Sequence, residues 1–277
     1  MISSCALSFL ALSTDAKAHA SDVPINRAGN VLLLGGGDAP PAVLRRFVEL
    51  AGGADAVIVV LPMASGDEQA AASYYAQLFQ AETQATQVEP VFINNREEAA
   101  QAAVVAAIRR ANGVWFTGGD QSRITDRLLG TPAHEALLGV LSGGGVIGGT
   151  SAGTACQGTL MIDGSGQEKR IASDNLGLTN GLGIVEGVIL DQHFAARQRQ
   201  NRLLSAILEH PRFLGIGIDE QTAVWFRPDN TFQVIGNRVV FVYDARQAEP
   251  STVSGNPTIR GMTTHILADG QSFRIDP

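Results

Sequence analysis

The chain has 277 residues, 45% of them apolar and 17% charged, with 31 glycines; this is material for a large buried core joined by many tight turns, and it excludes a disordered chain or a coiled coil. The formal net charge of −7 comes from 20 basic and 27 acidic side chains. Its basic residues cluster in only one short segment, which argues against a nucleic-acid backbone as partner.

Residues 1–20, MISSCALSFLALSTDAKAHA, carry an apolar stretch from Cys5 to Leu12 and small residues at Ala18 and Ala20 before Ser21. They read as a signal peptide or a disordered leader, without the positive n-region of an export signal. A genuine leader implies a secreted or periplasmic protein, and otherwise a cytoplasmic one. No apolar run reaches the ~18 residues of a membrane span, so no membrane partner is expected. Residues 21–277 show no repeat and no low-complexity linker, and are read as one domain.

VLLLGGGD (31–38) reads as a buried parallel strand ending in a glycine turn, and PAVLRRFVELAG (41–52) as the helix after it. DAVIVVLPMAS (55–65) is a second continuous apolar strand, followed by the helical DEQAAASYYAQLFQAE (67–82). ATQVEPVFI (85–93), the helix REEAAQAAVVAAIRRA (96–111) and the strand GVWFTGGD (113–120) continue the alternation. GVIGGTSAG (145–153) is a further strand and turn, and 163–180 loosens into a polar, glycine-rich surface excursion. GIVEGVILDQHF (183–194) resumes as a strand, and ARQRQNRLLSAILEHP (196–211) reads as a helix stopped at Pro211. From Phe213 onward come short strands: FLGIGIDE, TAVWF, TFQVIG, VVFVYD and THIL. The expected fold is three-layer α/β, a mostly parallel central sheet with helices on both faces and a C-terminal antiparallel extension.

GGTSAG (148–153) places Ser151 between Gly149 and Gly153 at the end of an apolar strand. This is the G-x-S-x-G pattern of a nucleophile elbow, in which small flanking residues admit a sharp strand-to-helix turn. A serine nucleophile needs a base, and histidine is the usual one. Of five histidines, only His193 follows a predicted central strand, as Ser151 does. In a parallel sheet those two ends share one rim. A carboxylate is needed to orient the imidazole, and Asp191, Asp219 and Glu220 all stand near strand ends. Ala152, directly after the serine, is one backbone donor for an oxyanion. TGGD (117–120), through Gly119, is a second, with GGGD (35–38) as its competitor. Arg197, Arg199 and Arg202 follow His193 on the predicted helix, where the last two share a face. Cys5 and Cys156 make no disulfide framework, and Cys156 reads as a small buried hydrophobe.

FTGGDQSR, GGTSAG, DQHFAARQRQNRLL and GIGIDEQTA, in this order and spacing, together resemble the cyanophycinase family of serine exopeptidases. That family is related to the aspartyl dipeptidases and, more distantly, to class I glutamine-amidotransferase-like folds. The resemblance runs from about Val31 to the C-terminus. It implies a catalytic triad of Ser151, His193 and Glu220, and a substrate pocket lined by Gln121, Asp191, Gln192, Arg197, Arg199 and Arg202, with Asp191 meeting a substrate guanidinium. It also implies a homodimer that uses no metal or organic cofactor. The implied substrate is cyanophycin, a poly-aspartate whose β-carboxylates carry arginines through isopeptide bonds, cut to β-Asp-Arg dipeptides. Short aspartyl or isoaspartyl dipeptides are the alternative substrates, and a non-catalytic small-molecule-binding module is the remote alternative. Thr154 stands where the family pattern leads one to expect alanine.

Overall fold

A computed structural model describes residues 28–83, 87–167, 169–253 and 256–275. The leader reading falls on residues outside these. In chain order the elements are β1 (Asn30–Leu34), α1 (Pro41–Leu50), β2 (Val57–Leu61), α2 (Glu68–Glu82), β3 (Gln87–Pro90), α3 (Ala102–Arg110), β4 (Gly113–Phe116), α4 (Gln121–Leu128), α5 (Pro132–Ser142) and β5 (Val146–Thr150). After the serine turn come α6 (Ala152–Ala155), β6 (Gly158–Gly166), β7 (Leu176–Asn180), β8 (Val185–Gln192), α7 (Gln200–Glu209), β9 (Leu214–Ile218) and β10 (Thr222–Phe226). The chain closes with β11 (Thr231–Gly236), β12 (Val240–Asp244), β13 (Glu249–Val253), β14 (Asn256–Arg260), β15 (Thr263–Leu267) and β16 (Ser272–Arg274).

These strands form two sheets and a hairpin rather than one extended sheet. The larger has the order β16-β11-β10-β1-β5-β4-β2-β3. The run from β1 to β3 is parallel, and β10, β11 and β16 add the expected antiparallel extension. The smaller sheet has the order β15-β12-β9-β8-β6-β7. Strand alternation explains the layers, since successive side chains point to opposite faces. Leu32 and Leu34 enter an aromatic-rich core with Phe47, Phe79 and Trp115 under α1 and α2. Val31 and Leu33 point the other way, into the core that also holds Leu190, Ile216 and Ile218 of the smaller sheet. Ile189 and Phe194 lie on that sheet's far side, with Leu203 and Ile207 of α7. An apolar run therefore supplied both faces of a strand, and this pattern carries no information about which sheet the strand joins.

Several boundaries differ from the sequence reading. The helix expected over 96–111 breaks into a short 3-10 turn and α3, because Gln101 is extended at ψ 135°. The excursion at 163–180 is flanked by paired strands, β6 against β7, with a register shift between Ile162 and Gly166. The helix expected from 196 starts only at Gln200. Gln198 takes φ 54°, which a right-handed helix does not accommodate. Arg197 therefore lies in a turn and Arg199 is the N-cap of α7. Among the described residues no helix is long and apolar enough to cross a membrane.

Candidate active site

The exit of β1 gathers the site. Leu34 O accepts from the Ser151 amide at 3.1 Å, Gly35 O from the His193 amide at 2.7 Å and Gly36 O from the Gln221 amide at 2.8 Å. Ser151 follows β5 of the larger sheet and His193 follows β8 of the smaller one, so the expectation of a rim within one sheet is corrected. Successive carbonyls of one turn tie the segments together across the two sheets. Buried backbone groups need partners, and here the partners are the amides of Ser151, His193 and Gln221. Among the described residues six non-glycine residues have positive φ, and Ser151, His193, Gln198 and Gln221 are four of them. Strain of this kind persists only where the surroundings over-determine it.

At the serine turn, Ser151 has φ 53° and ψ −114° between β5 and α6. The two flanking glycines are there for contact. A Cβ on Gly149 would stand 2.4 Å from Gly153 O, and one on Gly153 would stand 2.5 Å from Phe116 O. Both obstacles are backbone, so a larger side chain at either position pushes the turn apart. Thr154 is fully buried, and its hydroxyl donates to Leu34 O at 2.7 Å and approaches Gly149 O at 3.1 Å. An alanine there makes neither contact. The departure from the expected pattern thus adds a tie between the turn and β1.

Ser151 Oγ lies 2.9 Å from His193 Nε2, and His193 Nδ1 lies 2.7 Å from Glu220 Oε1. The tautomer that satisfies both contacts carries its proton on Nδ1 and leaves Nε2 to accept from the serine hydroxyl. Gly36 backs the ring so closely that a Cβ there would be 2.3 Å from Cε1. Burial pushes the His193 pKa below its ordinary value of 6.5; the Glu220 contact opposes the shift, and Arg197 and Arg199 add to it. Such an imidazole is neutral near pH 7 and can receive a proton.

The carboxylates left open by the sequence are separated by their neighbours. Asp219 Oδ1 accepts from the Ala196 amide at 2.9 Å, and Oδ2 faces Arg238 at 3.4 Å. Asp191 is enclosed: Arg202 Nε reaches Oδ2 at 2.7 Å and Arg202 Nη2 reaches Oδ1 at 2.5 Å. Its side chain is 0% exposed, so the expected meeting of Asp191 with a substrate guanidinium is corrected. Arg202 is likewise buried beneath the site, and neither side chain lines an open pocket. Arg199 Nη1 donates to Gln192 O at 2.7 Å and to Gln192 Oε1 at 2.9 Å. That oxygen lies 3.4 Å from Ser151 Oγ. Arg199 thereby fixes the Gln192 side chain beside the serine. Gln121 opens α4 and donates from Nε2 to Ile162 O at 2.9 Å, while Arg197 is exposed in the turn after His193.

Of the backbone donors considered, Ala152 opens α6 and Gly119 lies in the turn after β4 with φ 140°. Among the described residues neither amide donates to another group of the chain. A Cβ on Gly118 would stand 3.2 Å from Ser151 Cβ and 3.8 Å from its Oγ, so the TGGD turn lies directly against the serine. The GGGD turn meets the site through its carbonyls and through the close approach of Gly36 to His193. The sequence signal for that role was present, three glycines after a buried strand, but it does not say which groups the turn meets. Cys156 is buried and unpaired as a thiol, and burial raises its pKa, in line with the sequence reading.

The family model for peptidase family S51 matches residues 31–234. The chain belongs to peptidase family S51. As a member it is a serine-type peptidase with the mixed α/β architecture described above. The S51 peptidase is 35% identical over 256 residues to a cyanophycinase of Synechococcus elongatus, covering 89% of this chain and 79% of that one. It is 36% identical over 254 residues to a cyanophycinase of Nostoc sp., covering 88% and 85%. Among solved structures it is similar in fold to a peptidase from an acI-B1 actinobacterium, with a TM-score of 0.66 and 24% identity over 90% of this chain and 98% of that one.

Proposed function

We propose that this S51 peptidase is an exopeptidase that hydrolyses cyanophycin to β-Asp-Arg dipeptides, with Ser151, His193 and Glu220 as its catalytic triad. The observation that carries the reading is the unbroken hydrogen-bonded chain from Ser151 Oγ through His193 to Glu220. The relatives named as cyanophycinases support the substrate. Ser151 Oγ attacks a main-chain aspartyl carbonyl while Nε2 of His193 removes the hydroxyl proton. The carbonyl oxygen takes the negative charge and is met by the Ala152 and Gly119 amides, which are free to donate. Collapse of the tetrahedral intermediate breaks the C–N bond, and the imidazolium passes its proton to the leaving amine. Water, deprotonated by His193, then cleaves the acyl-serine ester and returns the enzyme. Glu220 holds the Nδ1 proton throughout and stabilises the imidazolium. Gln192, held by Arg199, and Arg197 are the residues that orient the substrate.

The test is release of soluble dipeptide from insoluble cyanophycin by the wild type and by Ser151→Ala. The substitution is expected to lower the rate on the order of 10³-fold or more. Retention of wild-type activity would show that another group is the nucleophile. Inactivity of a correctly folded wild type on the polymer would remove the substrate.

A further inference from the structure

Beside the serine site lies an open cleft of about 900 Å³ whose lining residues include Lys169, Arg170 and Arg197, with the amide side chains Gln167, Gln198 and Asn201. Two stretches of chain make it: Gln167, Lys169 and Arg170 after β6, and Arg197 to Asn201, the turn after His193 with the first residues of α7. Asn201 Nδ2 donates to Lys169 O at 2.8 Å, and Ser205 Oγ reaches Arg170 O at 3.3 Å. The Ala172 amide donates back to Ser205 Oγ at 3.2 Å, and the Asp174 amide donates to Glu209 Oε1 at 2.6 Å. The excursion that looked like loose surface in the sequence is therefore tied down along α7, with its basic residues held at the cleft. The other wall is continuous with the serine site, since the Arg197 amide donates to His193 O at 2.9 Å.

Charge decides what the cleft suits. The protein as a whole carries −7, yet the cleft brings together the cationic side chains of Lys169, Arg170 and Arg197. Arg199 and Arg202, close by in sequence, are turned inward onto Asp191. Among the described residues the cationic groups of Lys169, Arg170 and Arg197 make no ion pair and no side-chain hydrogen bond. Unpaired cations gathered at one concave surface, with amide donors between them, suit carboxylates.

We propose that this cleft is a carboxylate-binding subsite, with Lys169 and Arg170 holding the acidic groups of a substrate chain that extends past the serine. This rests on the cyanophycin reading, because each arginine of that polymer is attached through its amino group and keeps a free α-carboxylate. Successive units of the polymer present such carboxylates at regular intervals. Lys169 and Arg170 thus confer preference for a polymer over a dipeptide too short to reach them.

The probe is a soluble oligomer of four β-Asp-Arg units, titrated by calorimetry into the Ser151→Ala protein with and without Lys169→Ala and Arg170→Ala together. Both side chains are exposed, and alanine keeps the backbone carbonyls that tie the segment to α7. The double substitution is expected to weaken binding at least about tenfold, with partial recovery in Lys169→Arg plus Arg170→Lys. Arg109→Ala, which removes an exposed charge on α3, controls for net charge and is expected to leave binding unchanged. Unaltered affinity in the double variant, or an equal loss in the Arg109 control, overturns the subsite. Wild-type turnover of cyanophycin with unaltered affinity in the double variant leaves the proposed function standing without the subsite. Weakened binding in the double variant with no wild-type turnover leaves the subsite and removes the proposed reaction. If the oligomer binds neither protein while the wild type turns over cyanophycin, the subsite falls and the proposed function stands.

Discussion

The turn at Ser151 and the turn at His193 both place a non-glycine residue at positive φ, 53° and 49°, but different forces hold them there. The serine turn is held by steric fit. Its neighbours are Gly149, Gly153 and the buried Thr154, and its contacts are backbone atoms of β1, β4 and α6. The histidine turn is held by charge: Asp191 lies beneath it, clamped by Arg202, with Arg199 reaching forward to Gln192. Close packing tolerates no added atom, whereas a buried ion cluster tolerates no missing one. The turn with small residues can be damaged by adding a methyl group, and the turn with charged residues by removing a carboxylate.

The largest expected effect follows from taking away that carboxylate. Asp191→Ala leaves Arg202 buried without its bidentate partner, and the cost of breaking a buried pair is about 3–5 kcal/mol. Urea denaturation measures it, and a loss under about 1 kcal/mol would mean that the charge cluster does not hold the histidine turn. Next is Gly36→Ala, which adds a methyl group 2.3 Å from His193 Cε1 at a backbone φ of 109°. The ring must move, and displacement of a catalytic group by about 1 Å costs on the order of 10²-fold in kcat/KM. A kcat/KM equal to that of wild type would show that the ring has room. The smallest effect is on pH dependence. Because the His193 pKa lies below 6.5, the base form is lost only as the pH falls through that lower value, and the acidic limb of kcat/KM should lie below pH 6.5. Arg197 disfavours the imidazolium, so Arg197→Gln should move the limb to higher pH. A shift to lower pH, or none, would separate Arg197 from the charge balance at the histidine.

Much of the site was legible because the chemistry needs particular residues in particular local settings. The two glycines around Ser151 announced a turn that admits no Cβ, and the reason is the 2.4 and 2.5 Å approaches to backbone oxygens. His193 was chosen because it follows a buried strand. The structure brings its Nε2 to 2.9 Å from Ser151 Oγ, although not along the rim of one sheet, since β5 and β8 lie in different sheets. Arg197 and Arg199 were assigned to a helix because their neighbours favour one. The chain instead turns at Gln198 and begins α7 at Gln200, since capture of Gln192 by Arg199 and burial of Phe194 outweigh helix propensity.

What local sequence determined by itself was the set of buried strands, the covering helices and the serine turn, because apolar runs and glycine sterics act over a few residues. Tertiary structure alone decided the division into two sheets, the contact of His193 with Glu220 rather than with Asp191 or Asp219, and the burial of Arg202 beneath the site. Each depends on which distant segments meet at the exit of β1, and a carboxylate's role is set by the groups around it rather than by its position in the chain.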